Sequence, residues 1–155
     1  MTADLVPMSP KARREWFEVH KKNWYPLNVL EYNRVVTGWI TISPHRPGRG
    51  ATLDTGEISY FVDFNYHQMG FGSAMVRYAL NEARELGFRV IFAIIIEGNQ
   101  PSIRLLEKFG FENWGCLPQA VRSGDEIRSH IYLGKVLEHQ GNEPDRQKLA
   151  GLISS

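Results

Sequence analysis

Two glycines stand close together in the segment Met69-Gly70-Phe71-Gly72-Ser73, where a β-rich stretch gives way to a helical pattern. A strand that runs through a tight turn into a helix aims several unpaired backbone N–H groups, and the positive end of the helix dipole, at one point. Because glycine has no side chain, an anion can approach the main chain closely there. The spacing therefore predicts a site for a phosphate or pyrophosphate group.

The two better-known phosphate loops do not match this segment. A Walker loop requires a lysine directly after its last glycine, whereas Gly72 is followed by Ser73. A dinucleotide-binding loop requires a third glycine, and Met75 stands at that position. A tight turn that needs glycine for its geometry alone stays open as the alternative.

A carboxylate precedes this turn, in the segment Thr55–Phe64, whose β-branched and aromatic residues predict a strand. Strand alternation puts four of its side chains on one face: Glu57, Ser59, Phe61 and Asp63. Glu57 would then lie on a mixed polar and apolar surface, as in the wall of a cleft. A solvated position on the strand is the alternative for this glutamate.

The composition limits the classes of protein to which the chain can belong. Its 155 residues are close to the size of one domain, and 43% apolar with 23% charged residues are ordinary for a globular protein. A formal charge of +1 is not the excess of positive charge that is typical of proteins that bind nucleic acid or anionic lipid. The longest apolar run, Val90–Ile96, is far shorter than the ~20 residues of a membrane span, and the N-terminal residues show no signal-peptide pattern. We therefore expect no nucleic-acid partner, no membrane and a cytoplasmic location.

Cysteine and histidine usage argues against metal and disulfide chemistry. The single cysteine, Cys116, excludes an internal disulfide framework and suits a reducing compartment. The five histidines show no pair or acidic partner at ligand spacing, so we expect no metal site.

The predicted elements alternate between strands and helices. The first half of the chain predicts a helix over Ser9–Lys22, a hairpin of Leu27–Tyr32 and Val35–Ser43, a loop over Pro44–Asp54 and a strand over Thr55–Phe64. The second half predicts a turn over His67–Gly72, a helix over Ser73–Leu86 ended by Gly87, and a strand over Val90–Ile96. A helix over Pro101–Phe109 and strands over Trp114–Leu117 and Ser129–Leu137 follow. This order predicts an α/β fold, a mixed sheet with helices on both faces, formed by one domain over residues 1–137. Residues 138–155 are predicted to be a polar tail.

The turn resembles the coenzyme A loop of the GNAT superfamily of N-acetyltransferases, whose pattern is Gln/Arg-x-x-Gly-x-Gly/Ala. Here it reads His67-Gln68-Met69-Gly70-Phe71-Gly72, with His67 at the usual Gln/Arg position. The segment Asn99–Phe111 (NQPSIRLLEKFGF) is similar to the family's helix that closes over the coenzyme. Within the superfamily the chain looks most like the phosphinothricin acetyltransferase-like branch, and the matching residues are Arg49, Ala51, Thr55, Glu57 and Ser59.

The resemblance implies a GNAT-type, mostly antiparallel sheet and an acetyl-CoA-dependent N-acetyltransferase. Its acceptor would be the primary amine of a small molecule, amino acid-like or phosphinothricin-like, which attacks directly in a ternary complex. By the same resemblance Glu57 is the general base and the backbone N–H near Val62 polarises the thioester carbonyl. The implied coenzyme contacts are Val62, His67, Gln68, Met69, Gly70, Phe71, Gly72, Ser73, Asn99 and Ser102.

The chain departs from the family pattern at several points. Leu106 stands where the family often has a tyrosine and this branch commonly a histidine, so water or another residue must protonate the leaving thiolate. Thr52 replaces an acceptor-pocket tyrosine. The family's first strand and helix have no counterpart before Ser9, so we expect the sheet to begin at the usual second strand, unless the native start lies further upstream. A coenzyme A-binding or regulatory module without catalysis, and an enzyme that acetylates protein N-termini, both stay open.

An exposed sheet edge follows from the same expectation. The predicted strand Leu27–Tyr32 would be uncovered, with apolar Leu27, Val29 and Leu30, and uncapped edges of that kind pair with other chains. The family's tendency to dimerise points the same way, so we expect a homodimer.

Overall fold

A computed structural model describes residues 9–22, 26–46 and 49–138. The segment 1–8 and, apart from Glu138, the predicted tail 138–155 lie outside the described residues. The helices of the described part are α1 (Pro10–Lys22), α2 (Phe71–Glu85) and α3 (Gln100–Lys108). Its strands are β1 (Leu27–Tyr32), β2 (Val35–Pro44), β3 (Thr55–Val62), β4 (Val90–Ile96), β5 (Glu112–Ser123) and β6 (Glu126–Val136).

The strands form a sheet in the order β1-β2-β3-β4-β6-β5. Every neighbouring pair is antiparallel except β3 and β4, which are parallel and are connected through α2, as a parallel pair requires a crossover. The parallel ladder is short, joining only Thr55–Glu57 to Val90–Phe92. Beyond Glu57 each of the two strands continues without pairing with the other. The predicted mixed, mostly antiparallel sheet is therefore confirmed, and it contains a gap between its two central strands.

Helix α2 closes the core against the sheet. Its apolar residues recur every three or four positions, so one face buries Met75, Val76, Ala79, Leu80 and Ala83. That face packs with the buried side chains of the central strands, which include Ile40, Ile42, Ile58, Ile91, Ala93 and Leu133. Each isoleucine, leucine, valine or methionine side chain among them contributes roughly 1.5–3 kcal/mol when fully buried. The sheet and α2 therefore hold the ends of β3 and β4 in fixed positions.

The start and end of α2 depend on glycines with positive φ. Gly70 is the N-cap at φ +82°, so the helix begins at Phe71, two residues before the predicted Ser73. At the other end Gly87 has φ +85°, and the N–H of Phe88 donates to the carbonyl of Ala83, as in a Schellman stop. The predicted left-handed cap at Gly87 is confirmed.

Strands β5 and β6 are longer than the sequence pattern predicts. The expected strand Trp114–Leu117 extends to Glu112–Ser123, and the expected Ser129–Leu137 is Glu126–Val136. Gly115 and Pro118 interrupt the hydrophobic pattern, but β5 is an edge strand, where a missing N–H is tolerated. The β5–β6 register shifts near both residues, so the irregular sequence is accommodated without ending the strand.

Candidate active site

A cavity of about 300 Å³ opens where the β3–β4 ladder ends. It is lined by Glu57, Ile58, Ser59 and Tyr60 of β3, Ile94, Ile95 and Ile96 of β4, Asn99 and Ser102 at the start of α3, and His130 of β6. Because consecutive strand residues point to opposite faces, a lining that includes both Glu57 and Tyr60 reaches both sides of the sheet. The gap between the strands therefore joins the two faces.

Glu57 is the last residue of β3 that pairs with β4, opposite Phe92. Its side chain is partly buried, and the desolvation raises the pKa of the carboxyl above its usual value. Phe92, the strand partner of Glu57, belongs to a row of aromatic rings, since its ring lies 5.2 Å from the His45 ring and 6.3 Å from that of Tyr132. A carboxylate in such surroundings accepts a proton more readily than an exposed one does.

Tyr60 presents a polar group on the other face of the gap. Its hydroxyl is buried and has no hydrogen-bond partner among the described residues. Burial raises the pKa of Tyr60, and interaction with the Ser102 side chain lowers it in part, although the two side chains do not form a hydrogen bond of good geometry. Tyr60 therefore carries its proton at neutral pH.

The start of α3 brings two of the predicted coenzyme contacts into the cavity. Asn99 is the N-cap of the helix, and its side-chain oxygen accepts a hydrogen bond from the N–H of Ser102 at 3.4 Å. Pro101 occupies the first turn, where its missing N–H costs nothing. The cap fixes Asn99 and Ser102 beside the gap.

The start of α2 forms a separate surface with open space in front of it. The first backbone hydrogen bond of the helix runs from the N–H of Ala74 to Gly70, so the preceding N–H groups of the first turn point out of the helix end. The first turn carries no acidic side chain. A Cβ placed at Gly70 would meet nothing within 4 Å, whereas one at Gly72 would lie 2.9 Å from Leu105 of α3. Gly70 therefore leaves room for a ligand, and Gly72 allows α2 and α3 to approach each other.

The His67 side chain contacts the end of β3. Its Nε2 lies 3.0 Å from the carbonyl oxygen of Val62, and its ring is 5.0 Å from that of Phe64. The N–H of Asp63 donates to the carbonyl of Thr37 on β2 at 2.8 Å. Because successive amides of a strand alternate in direction, the N–H of Val62 points away from β2, into the gap.

The structure thus brings Glu57, Asn99 and Ser102 together at one cavity. The predicted loop residues His67, Gln68, Met69, Gly70, Phe71, Gly72 and Ser73 lie around the start of α2 and do not line that cavity. Sequence reasoning did not select Tyr60 and did not select His130 as a cavity residue. Both lie within strand patterns dominated by apolar residues, and the sequence does not show that β3 and β4 separate.

Two further observations concern the described ranges alone. In 9–22, 26–46 and 49–138, no three His, Cys, Asp or Glu side chains come together as a metal site would require. Over the same ranges, no helix has the length and apolar character to cross a membrane.

Comparison with known proteins assigns this chain to a family. Residues 3–111 match the family model described as the acetyltransferase (GNAT) family. The match spans most of the sheet, both glycine turns of α2 and the whole of α3. The chain belongs to the GNAT family of acetyltransferases.

Individual relatives point to one branch of that family. The chain is 40% identical over 119 residues to a Bacillus subtilis protein named "Putative phosphinothricin acetyltransferase YwnH", covering 76% of this chain and 72% of the relative. It is 34% identical over 107 residues to the L-amino acid N-acyltransferase MnaT of Escherichia coli, covering 69% of this chain but only 62% of that protein. A phosphinothricin acetyltransferase from Sinorhizobium meliloti, solved in complex with acetyl-CoA, is 25% identical with a TM-score of 0.82, covering 92% of this chain and 78% of the other.

Proposed function

We propose that this protein transfers an acetyl group from acetyl-CoA to the primary amine of a small molecule that is amino acid-like or phosphinothricin-like. The observation that carries the proposal is the partly buried carboxylate of Glu57 at the point where β3 and β4 separate. The names of the relatives, which refer to phosphinothricin or to L-amino acids, support this acceptor class. A cavity of about 300 Å³ is at the lower end of the usual range for small ligands and suits an acceptor of that size.

The residues present fit acetyl-CoA as the acyl donor. The N–H groups at the start of α2, with open space at Gly70, would hold the pyrophosphate. Asn99 and Ser102 would contact the pantetheine arm in the cavity. His67 would act through its contact with the Val62 carbonyl, which holds the loop in place.

In this mechanism Glu57 removes a proton from the ammonium of the acceptor, because only the neutral amine has a lone pair for attack. The amine nitrogen then attacks the thioester carbonyl carbon. The N–H of Val62, which points into the gap, would donate a hydrogen bond to the carbonyl oxygen as negative charge develops on it. The C–S bond breaks and the nitrogen loses its second proton to solvent, and the products are the acetylated amine and coenzyme A.

A thiol-release assay with a panel of amines and L-amino acids tests this function. We expect turnover with small amines, and we expect Glu57→Gln to turn over more slowly by roughly two to four orders of magnitude, the usual contribution of a general base. The deficit should shrink as the pH approaches the pKa of the amine, since free amine is then supplied by the solution. Glu112→Gln, at an exposed glutamate of β5, is the matched control.

The assay also separates the competing functions. Binding of acetyl-CoA without turnover of any amine would identify a non-catalytic coenzyme A-binding or regulatory module. Turnover with peptide N-termini alone would identify a protein N-terminal acetyltransferase. Wild-type rates in Glu57→Gln at neutral pH would remove the base assignment.

We also propose that the protein is a cytoplasmic homodimer. Cys116 is an exposed, free thiol, which suits a reducing compartment. For the dimer, the support is that β1 lies at one edge of the sheet and that Val29 on it is 60% exposed.

A further inference from the structure

The proposed reaction leaves one proton without a donor. When the C–S bond breaks, the electron pair stays on sulfur, and coenzyme A leaves as a thiol only if that sulfur gains a proton. Leu106, at the position where the family often has an acid, is a fully buried leucine and has no proton to give. A donor must come from elsewhere in the cavity or from water.

Three side chains that line the cavity can titrate: Glu57, Tyr60 and His130. Glu57 is already assigned as the base that takes the proton from the amine. His130 lies on β6 opposite Ile96, on the far side of the cavity from β3. Tyr60 lies on β3 with its hydroxyl buried and unpartnered among the described residues, next to Ser102 of α3.

We propose that Tyr60 is the general acid that protonates the leaving thiolate. This inference rests on the proposed function. The O–H bond of Tyr60 breaks and its proton goes to sulfur as the C–S bond breaks, which yields the free thiol. The attacking nitrogen loses its second proton to solvent as the amide forms. The phenolate regains a proton from solvent, and Glu57 releases to solvent the proton that it took from the ammonium.

The position of Tyr60 fits this role. Strand alternation separates it from Glu57 by the plane of the sheet, so the acid and the base face the gap from opposite sides. It lines the same cavity as Asn99 and Ser102, the proposed contacts of the pantetheine arm that ends in the sulfur. An unpartnered buried hydroxyl costs stability, and a group of that kind calls for an explanation. The explanation here is that the Tyr60 hydroxyl forms its hydrogen bond with a ligand atom when the coenzyme is bound.

The acidity of a tyrosine is adequate for this transfer. Ordinary tyrosine and thiol pKa values differ by about 1.5, with the thiol the stronger acid. Desolvation raises both, because a thiolate that leaves into the same cavity is also a poorly solvated anion. Because the pKa of Tyr60 is raised, the phenol stays protonated until the C–S bond breaks and negative charge develops on sulfur.

The decisive variant is Tyr60→Phe, which removes one oxygen atom and keeps the ring. We expect kcat to fall at least tenfold, the affinity for acetyl-CoA to change less than twofold, and the melting temperature to stay the same or rise, because the buried hydroxyl has no partner to lose. Tyr78→Phe, at an exposed tyrosine of α2, is the matched control and should leave all three values unchanged.

The pH profile distinguishes an acid from a packing residue. In the wild type, kcat should fall on the basic side as Tyr60 ionises, and Tyr60→Phe should lose this basic limb and keep the acidic limb that belongs to Glu57. Site-specific replacement of Tyr60 by a fluorotyrosine of lower pKa should move the basic limb to lower pH. Retention of the basic limb in Tyr60→Phe, or of the wild-type kcat, would overturn the assignment while amine acetylation itself stood. If the wild type acetylated no amine, both the proposed function and this role would be rejected.

Discussion

Glu57 illustrates how burial makes a residue reactive at a cost in stability. The folded state holds this carboxyl in a partly desolvated position, which raises its pKa, whereas the unfolded chain exposes it to water. Between the unfolded and folded pKa values the folded state binds more protons, so stability falls as the pH rises through that interval. Above the folded pKa, the charged Glu57 is a net penalty on folding.

Replacing this glutamate should therefore stabilise the protein. We expect Glu57→Gln to raise the melting temperature at pH 7, since the amide carries no charge to desolvate. The gain should disappear below about pH 4.5, the ordinary value for a glutamate, where the wild-type carboxyl is protonated in both states. Thermal denaturation of both proteins from acidic to neutral pH is the measurement, with Glu112→Gln as control. A lower melting temperature for Glu57→Gln at pH 7 would show that the charge makes favourable contacts.

At the scale of elements, the start of α2 offers a direct test of anion binding by the main chain. Ser73 lies in the first turn, where proline is tolerated because the N–H has no intrahelical partner. Ser73→Pro removes that N–H, and Ser73→Ala removes only the hydroxyl. We expect Ser73→Pro to weaken acetyl-CoA binding at least tenfold, about 1.4 kcal/mol, and Ser73→Ala to have a much smaller effect.

Calorimetric titration of both Ser73 variants measures this difference, with melting curves to verify that α2 is intact. Equal losses in the two variants would assign the contact to the hydroxyl. Gly72 is a less suitable test position, because a larger residue there would also collide with Leu105 of α3.

Local patterns predicted some elements better than others. Val90–Ile96 was predicted with its observed limits because a continuous β-branched run between turn residues fits little else, and the glycine cap at the end of α2, Gly87, was equally local. The predicted β5 was too short because Gly115 and Pro118 interrupt the local strand pattern, whereas in the fold pairing with β6 extends the strand past both residues. The contribution of Tyr60 to the cavity could not be predicted, since it depends on the separation of β3 from β4, a tertiary feature with no local mark.

At the scale of the whole molecule, the sheet exposes apolar side chains near both of its edges. On β1 and the start of β2 these are Val29, Tyr32, Val35 and Val36, and on β5 they are Trp114 and Leu117. Of the three apolar residues expected at the β1 edge, Val29 is exposed, whereas Leu27 and Leu30 are partly buried. Asn28 of β1 donates a hydrogen bond to Glu82 of α2 at 2.7 Å, so this edge is held to the core. Either edge could pair with a second copy, and charged substitutions distinguish them.

A charge in the middle of the strand at the interface should separate the dimer. In an isologous pair the same residue occurs twice, so one substitution places two like charges close together and disfavours edge pairing. We expect the wild type to remain dimeric in light scattering across a dilution series, Val29→Lys to give a monomer, and Leu117→Lys to stay dimeric. The reverse result would locate the interface at β5, and a wild type that is monomeric at high micromolar concentration would reject the dimer. Acetyl-CoA titration of the Val29→Lys monomer then shows whether one chain suffices for binding, which we expect because the cavity lies between β3 and β4, two strands away from the β1 edge.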